Sequence, residues 1–187
     1  MKTRKVEELM VPLDEYASVT EDASLYDAVM ALEQAQEDFV RSPYRHRAVI
    51  IMDKNRKVVG KVSQMDILRA LEPQYDNMIE KESSATRFGF SRQFQKSMMD
   101  WYKLWDAPMQ DICNKATSIK VNNFMSTPKE GEHVEASVSL NEAINQMVMG
   151  HHQSLLVTNG SEIVGVLRLA DVFMSVFEAI KTCKTGA

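Results

Sequence analysis

The strongest constraint on this 187-residue chain is that it repeats itself. Residues 6–32 match residues 121–147 at a constant offset of 115, with identities at Val6/Val121, Met10/Met125, Val19/Val134, Ser24/Ser139, Leu25/Leu140 and Ala28/Ala143. The later part of each unit matches at an offset of 105, through Val59/Val164, Gly60/Gly165 and Asp66/Asp171. The first unit therefore carries an insertion between its first helix and its next strand, near 33–47. A unit of about 60 residues buries too little surface to hold together well alone, so the two are expected to share a core. Packing sheet against sheet with pseudo-twofold symmetry would satisfy both and create two related clefts.

Each unit reads alike. A short leading segment, residues 6–10 or 121–125, precedes an extended piece around Val19 or Val134. Helices are predicted from Ser24 and Ser139; Ser24-x-x-Asp27 resembles a capping box and Ser139-x-x-Glu142 fits one. Apolar residues at 25, 28, 29 and 32, and at 140, 143, 144 and 147, mark one helical face. Paired strands follow at 48–52 with 58–62 and at 155–158 with 163–167, joined by turn-like connections. A closing helix ends each unit. In the second unit Leu169, Val172, Phe173, Val176, Phe177 and Ile180 fall on one stripe.

The junction of last strand and closing helix is the stretch with chemistry in it. Gly60-Lys61-Val62-Ser63-Gln64-Met65-Asp66 returns as Gly165-Val166-Leu167-Arg168-Leu169-Ala170-Asp171. A carboxylate can accept both hydroxyl protons of a ribose diol, and a helix start attracts phosphate through its free amides and its dipole. Ser63-x-x-Asp66 is equally the pattern of a helix cap, which needs no ligand. In the second unit Arg168 stands where Ser63 stands in the first. Arginine caps poorly and opposes the dipole, a cost that an anion in the cleft would reverse. The alternatives for Arg168 are extension into solvent or pairing with a nearby carboxylate. The insertion adds a basic run, Arg41-Ser42-Pro43-Tyr44-Arg45-His46-Arg47, read either as a loop carrying Arg45, His46 or Arg47 toward phosphates or as a solvated surface loop.

Between the units, residues 73–118 are expected to form a helical segment. Residues 80–86 are polar, and a helix is predicted from Ser91 with Phe90, Phe94, Met98, Trp101 and Trp105 as a stripe that Pro108 should stop. That stripe suits packing on the chain itself or on a partner. A net charge of −4 argues against a general nucleic-acid binder, and no apolar run is long enough for a membrane span. Cys113 and Cys183 lie far apart without a CxxC and read as reduced thiols of a cytoplasmic protein. The adjacent His151 and His152 have no cysteine or third histidine close by, so no metal site is predicted. No nucleophile elbow, phosphate-binding loop or dinucleotide fingerprint occurs.

The ordered duplication of β-α-β-β-α, each copy ending in the pattern Gly-x-x-(Ser/Thr)-x-x-Asp, from which the second departs at Arg168, resembles a tandem pair of CBS (cystathionine β-synthase) domains, a Bateman module. The segments Val6-Glu7-Glu8-Leu9-Met10-Val11-Pro12 and Val121-Asn122-Asn123-Phe124-Met125-Ser126-Thr127-Pro128, and the strand Ala48-Val49-Ile50-Ile51-Met52-Asp53, are similar to that family's. The resemblance implies an α/β (α+β) fold of two repeats, at 1–72 and 119–187, and covers both but not 73–118. It also implies a regulatory module, not an enzyme, that takes an adenine nucleotide (AMP, ADP or ATP) in the clefts and needs no catalytic cofactor. By the same resemblance Asp66 and Asp171 would accept from ribose hydroxyls and Ser63 would donate to phosphate. Backbone around Arg47, Ala48 and Val49, and around Ser154, Leu155 and Leu156, would meet the adenine edge, and Pro12 and Thr127 would complete the pockets. The family implies a homodimer and an unidentified regulated partner. The rival expectation is an interaction scaffold with degenerate clefts, for which Arg168 is the motive.

Overall fold

The computed structural model describes residues 4–39, 44–75, 91–106 and 108–184. Two sheets form its centre. Strands β2 (Ser18–Thr20), β3 (Ala48–Met52) and β4 (Val58–Ser63) make the first, in the order β2-β3-β4. Strands β1 (Val11–Pro12), β5 (His133–Glu135), β6 (Ser154–Asn159) and β7 (Glu162–Arg168) make the second, in the order β1-β7-β6-β5. In both sheets the short first strand is parallel to the middle one (β2 to β3, β5 to β6), and the hairpin is antiparallel. Each hairpin also carries a register shift at the equivalent place, Ile51/Met52 and Val157/Thr158. The repeat in sequence is thus a repeat in topology.

Helices α1 (Leu25–Asp38) and α2 (Gln64–Leu71) belong to the first repeat. Their counterparts in the second are α5 (Leu140–Gly150) and α6 (Leu169–Lys184). At α1 the capping box forms: Ser24 Oγ accepts from the Asp27 amide at 3.1 Å and Asp27 Oδ2 accepts from the Ser24 amide at 2.8 Å. At α5 it does not. The Ser139 hydroxyl donates to Glu142 Oε1 at 2.8 Å, so the better sequence match gives the poorer cap.

The leading segments change partners. Val6 is fully buried, but in the core of the second repeat with Val134, Leu140, Leu155 and Leu167; Val121 is fully buried in the core of the first with Leu25, Val49 and Ile51. Backbone bonds fix the exchange. The Val6 amide donates to the Val138 carbonyl at 3.1 Å, and the Val121 amide to the Ala23 carbonyl at 2.9 Å. Strand β1 then extends the second sheet through Val11↔Val166, while Ser126 exchanges backbone bonds with Lys61 at the edge of β4. The two motif glycines serve this crossing. A Cβ at Gly165 would come within 2.6 Å of the Val11 carbonyl oxygen, and one at Gly60 within 2.5 Å of the Met125 sulfur. Met10, likewise, lies against Gly165, so the repeated Gly and the repeated Met are one packing feature.

Truncating Val6 to alanine removes two buried methyl groups, about 1.6 kcal/mol of transfer energy before any cavity cost. The loss should appear as faster amide exchange in β5, α5 and β7, and not in the neighbouring α1. Faster exchange confined to the first repeat would refute the crossing.

The inter-repeat segment departs from expectation. Helix α3 (Arg92–Tyr102) ends well before Pro108, because Lys103 at φ 50° closes it in the left-handed region. Pro108 instead precedes a further helix, α4 (Met109–Ser118), which packs on α1 and α2. Of the expected stripe, Phe94 and Met98 are half-buried, Trp101 is 82% exposed, and Phe90 lies outside the described residues. Trp105 is tied back: its amide donates to Glu72 Oε2 at 2.9 Å and its indole N–H to the Tyr75 hydroxyl at 3.0 Å. The α6 stripe is also only partly buried, with Val172 in the core and Phe173, Phe177 and Ile180 facing outward. Among the described residues, no helix is long and apolar enough to cross a membrane.

Candidate functional site

The start of α2 is set by the residues of the turn itself. The Ser63 hydroxyl accepts from the Asp66 amide at 3.2 Å and donates to Asp66 Oδ2 at 2.7 Å, and the Ser63 amide donates to the same oxygen at 2.8 Å. The cap is complete, and it uses one carboxylate oxygen. Asp66 Oδ1 accepts no hydrogen bond among the described residues. The Gln64 amide donates to the Arg47 carbonyl at 3.0 Å, which ties the helix start to the residue before β3.

The start of α6 is built differently. Arg168 turns its guanidinium back on Asp171, Nη2 donating to Oδ1 at 2.7 Å and Nε to Oδ2. Both carboxylate oxygens are therefore engaged. The third arm, Nη1, donates to the Tyr44 carbonyl at 3.0 Å, and the Phe39 ring lies under the guanidinium at 4.7 Å. The pair is enclosed, with Arg168 4% and Asp171 9% exposed. Of the alternatives that the sequence left open for Arg168, pairing with a carboxylate is the one realised.

Both helix starts open on one cavity of about 760 Å³. Its wall includes Arg45, Arg47, Ala48, Ser63 and Asp66 from the first repeat, and Ser126, Glu132, His152, Ser154 and Arg168 from the second. Lys61 and Glu132 join the two across it, Nζ to Oε1 at 3.0 Å. Burial raises the Glu132 carboxyl, but the bonds from Lys61 and the Lys129 amide outweigh it and hold the group below its ordinary range. With Lys61 and Arg168 paired, Arg45 and Arg47 are the arginines of this wall that are exposed and form no ion pair among the described residues. The wall therefore has a surplus of positive charge, on an acidic chain, suited to an anion. Tyr16 also contributes; burial pushes its phenol up to about 12, so it stays protonated.

The expected contact residues divide. Ser63, Asp66, Arg47, Ala48, Ser154 and Arg168 line the cavity. Asp171 stands behind Arg168. Val49 and Leu155 have fully buried side chains, in the first and second cores, and could offer only backbone. Pro12 pairs with Gly165 at the edge of the second sheet, and Thr127 is exposed beside Ser126, which is the residue of that segment on the wall. Arg41, Ser42 and Pro43 lie outside the described residues, as do residues 80–86. Cys113 is a free, exposed thiol; the Cys183 side chain is outside the description. Lys61, Glu132 and Tyr16 were missed. Tyr16 and Glu132 have no counterpart in the repeat pattern, and Lys61 stands inside the motif at a position occupied by Val166 in the other copy.

His46 is a correction. The sequence offers it, with Arg45 and Arg47, either to phosphate or to solvent, yet it is 1% exposed, wedged edge-on between Tyr16 at 4.5 Å and Phe39 at 4.7 Å, with neither ring nitrogen bonded. Burial first, and the Arg168 charge second, push its pKa down to about 4. The unfolded histidine titrates near 6.5, so between about pH 6.5 and 4 the unfolded chain binds a proton that the folded chain refuses. Stability should therefore fall as pH drops through that window. A His46→Leu variant should show a smaller fall in melting temperature between pH 7 and pH 4.5 than the unaltered chain; equal falls would exclude the assignment.

No curated protein matches this sequence. Solved structures do. The chain is similar to a CBS domain-containing protein of unknown function from Bacillus anthracis, at 15% identity and a TM-score of 0.60 with 95% of each chain covered. It is similar to CBSX2 from Arabidopsis thaliana at 16% identity and a TM-score of 0.58, over 95% of this chain and 96% of that one. A structure of CBSX2 in complex with AMP matches at 20% identity and a TM-score of 0.57, over 93% and 97%. At these identities the likeness speaks for the fold. The sequence profile of the CBS domain matches residues 6–73 and again 121–178, more than half the chain and coincident with the two topological repeats. The chain thus belongs to the CBS domain family, as a tandem pair.

Proposed function

We propose that this CBS pair is a regulatory module that senses an adenine nucleotide (AMP, ADP or ATP) and has no catalytic role of its own. The observation that carries the reading is the division of labour on Asp66: one carboxylate oxygen completes the helix cap while the other is left over, on the wall of a cation-rich cavity. Asp66 would accept from the ribose diol, and Arg45 and Arg47 would meet the phosphates. Ala48 would border the base. The AMP complex of the similar CBSX2 supports the choice of ligand class. The exposed apolar side chains Phe173, Phe177 and Ile180 of α6 fit self-association as a homodimer, and a regulated partner would read the change in occupancy.

Calorimetry of ligand-free protein against AMP, ADP, ATP and S-adenosylmethionine tests this. A ligand at a hundred times its Kd stabilises the folded state by about 2.7 kcal/mol, so the melting temperature should rise by roughly 5–10 °C. Silence with all four ligands would leave the rival reading, an interaction scaffold. That rival is favoured by one observation, the internally satisfied Arg168–Asp171 pair.

A further inference from the structure

Resting on that nucleotide reading, we infer that the second seat is closed from within, with Arg168 acting as an internal plug on Asp171, so that the chain takes one nucleotide and not two. The two helix starts are equivalent in topology, yet their carboxylates are in opposite states. Asp66 keeps an oxygen without a partner among the described residues, whereas both oxygens of Asp171 are taken by Arg168. A guanidinium across a carboxylate presents two parallel N–H donors, which is the pattern that the two hydroxyls of a ribose diol would present. Arg168 thus fills the ligand's place with the ligand's own chemistry.

The first repeat holds the plug in position. Phe39 and Tyr44 lie within the stretch near 33–47 that distinguishes this repeat from the other. Phe39 lies against the Arg168 guanidinium, the Tyr44 carbonyl accepts its third arm, and the Tyr44 hydroxyl contacts the Met174 sulfur of α6 at 3.0 Å. The extra length in repeat one and the arginine in repeat two are therefore two halves of one contact between repeats. Neither is explained by its own repeat.

Titration calorimetry with AMP should give one site per chain for the unaltered protein, and the same single site about tenfold to a hundredfold weaker for Asp66→Ala. Arg168→Ser gives the second helix start the Ser-x-x-Asp cap of the first, and should raise the count to two; adding Asp171→Ala should return it to one. Two sites on the unaltered chain, or no site gained over it by a folded Arg168→Ser variant, would overturn the plug. A readout independent of binding is the Arg168 Nε proton, followed by ¹⁵N spectroscopy. It should exchange slowly both without AMP and at millimolar AMP. Rapid exchange in either state would overturn the inference even if Arg168→Ser failed to fold. If AMP binds nowhere on the unaltered chain, the nucleotide reading is lost. The slow Nε proton, with AMP bound only by Arg168→Ser, would then still establish the plug.

Discussion

Asp66→Ala should weaken adenine-nucleotide binding by about tenfold to a hundredfold while costing the fold little. Hydrogen bonds to a charged group contribute about 1.5–3 kcal/mol each, and each 1.4 kcal/mol is a factor of ten in affinity. The structural loss is smaller. It comprises the bonds to Ser63 and a favourable charge at the start of α2, together about 1 kcal/mol. Ser63→Ala should do the reverse, costing about 1 kcal/mol of stability and only a few-fold in affinity, because its proton is already committed to Asp66. Calorimetry and thermal melts on the two variants separate the effects. If Asp66→Ala binds as tightly as the unaltered chain, the carboxylate is a cap and nothing more.

Asp171→Ala, at the equivalent position, should show the opposite phenotype. It leaves the Arg168 guanidinium enclosed without a counter-charge, and breaking a buried pair from one side costs about 3–5 kcal/mol. For a chain of this size, that corresponds to a fall in melting temperature of roughly 10 °C. Nucleotide affinity of the surviving folded protein should be unchanged. Replacing both partners, as in Arg168→Leu with Asp171→Leu, should restore most of the loss, since two apolar side chains leave no orphan charge. A single variant as stable as the unaltered chain would show that water reaches the pair and screens it.

These paired experiments mark where sequence reading succeeds and where it stops. Strands β3 and β7, helices α1 and α5, and both connecting turns were legible because their signals are local: alternation, helical spacing and turn chemistry. The end of α3 was not. Pro108 looked like a stop, but Lys103 in a left-handed conformation closes the helix first, and nothing in the side-chain pattern announces that choice. The α5 cap failed for a related reason. The Ser139 hydroxyl donates to the Glu142 carboxylate just as Ser24 and Ser63 donate to their aspartates, but unlike them it accepts no bond from a helix amide, and nothing in the residue pattern announces the difference.

The repeat over the whole of each unit, with the motif at Gly60–Asp66 and its echo as its last part, was enough to indicate a duplicated fold and to place a carboxylate at each closing helix. Whether that carboxylate is available is a question of its second oxygen, and that depends on side chains brought in from elsewhere. Arg168 lies within reach of Asp171 by sequence, three residues away, yet its solvent exclusion depends on Phe39 and Tyr44 from the far side of the chain. The exchange of Val6 and Val121 between cores is equally invisible locally, since an apolar residue in a leading segment is satisfied by either core. Periodicity determines what an element is, because it acts over a few residues. Which partner an element meets is decided by the packing of the whole chain, and here that packing makes two like sequences into unlike sites.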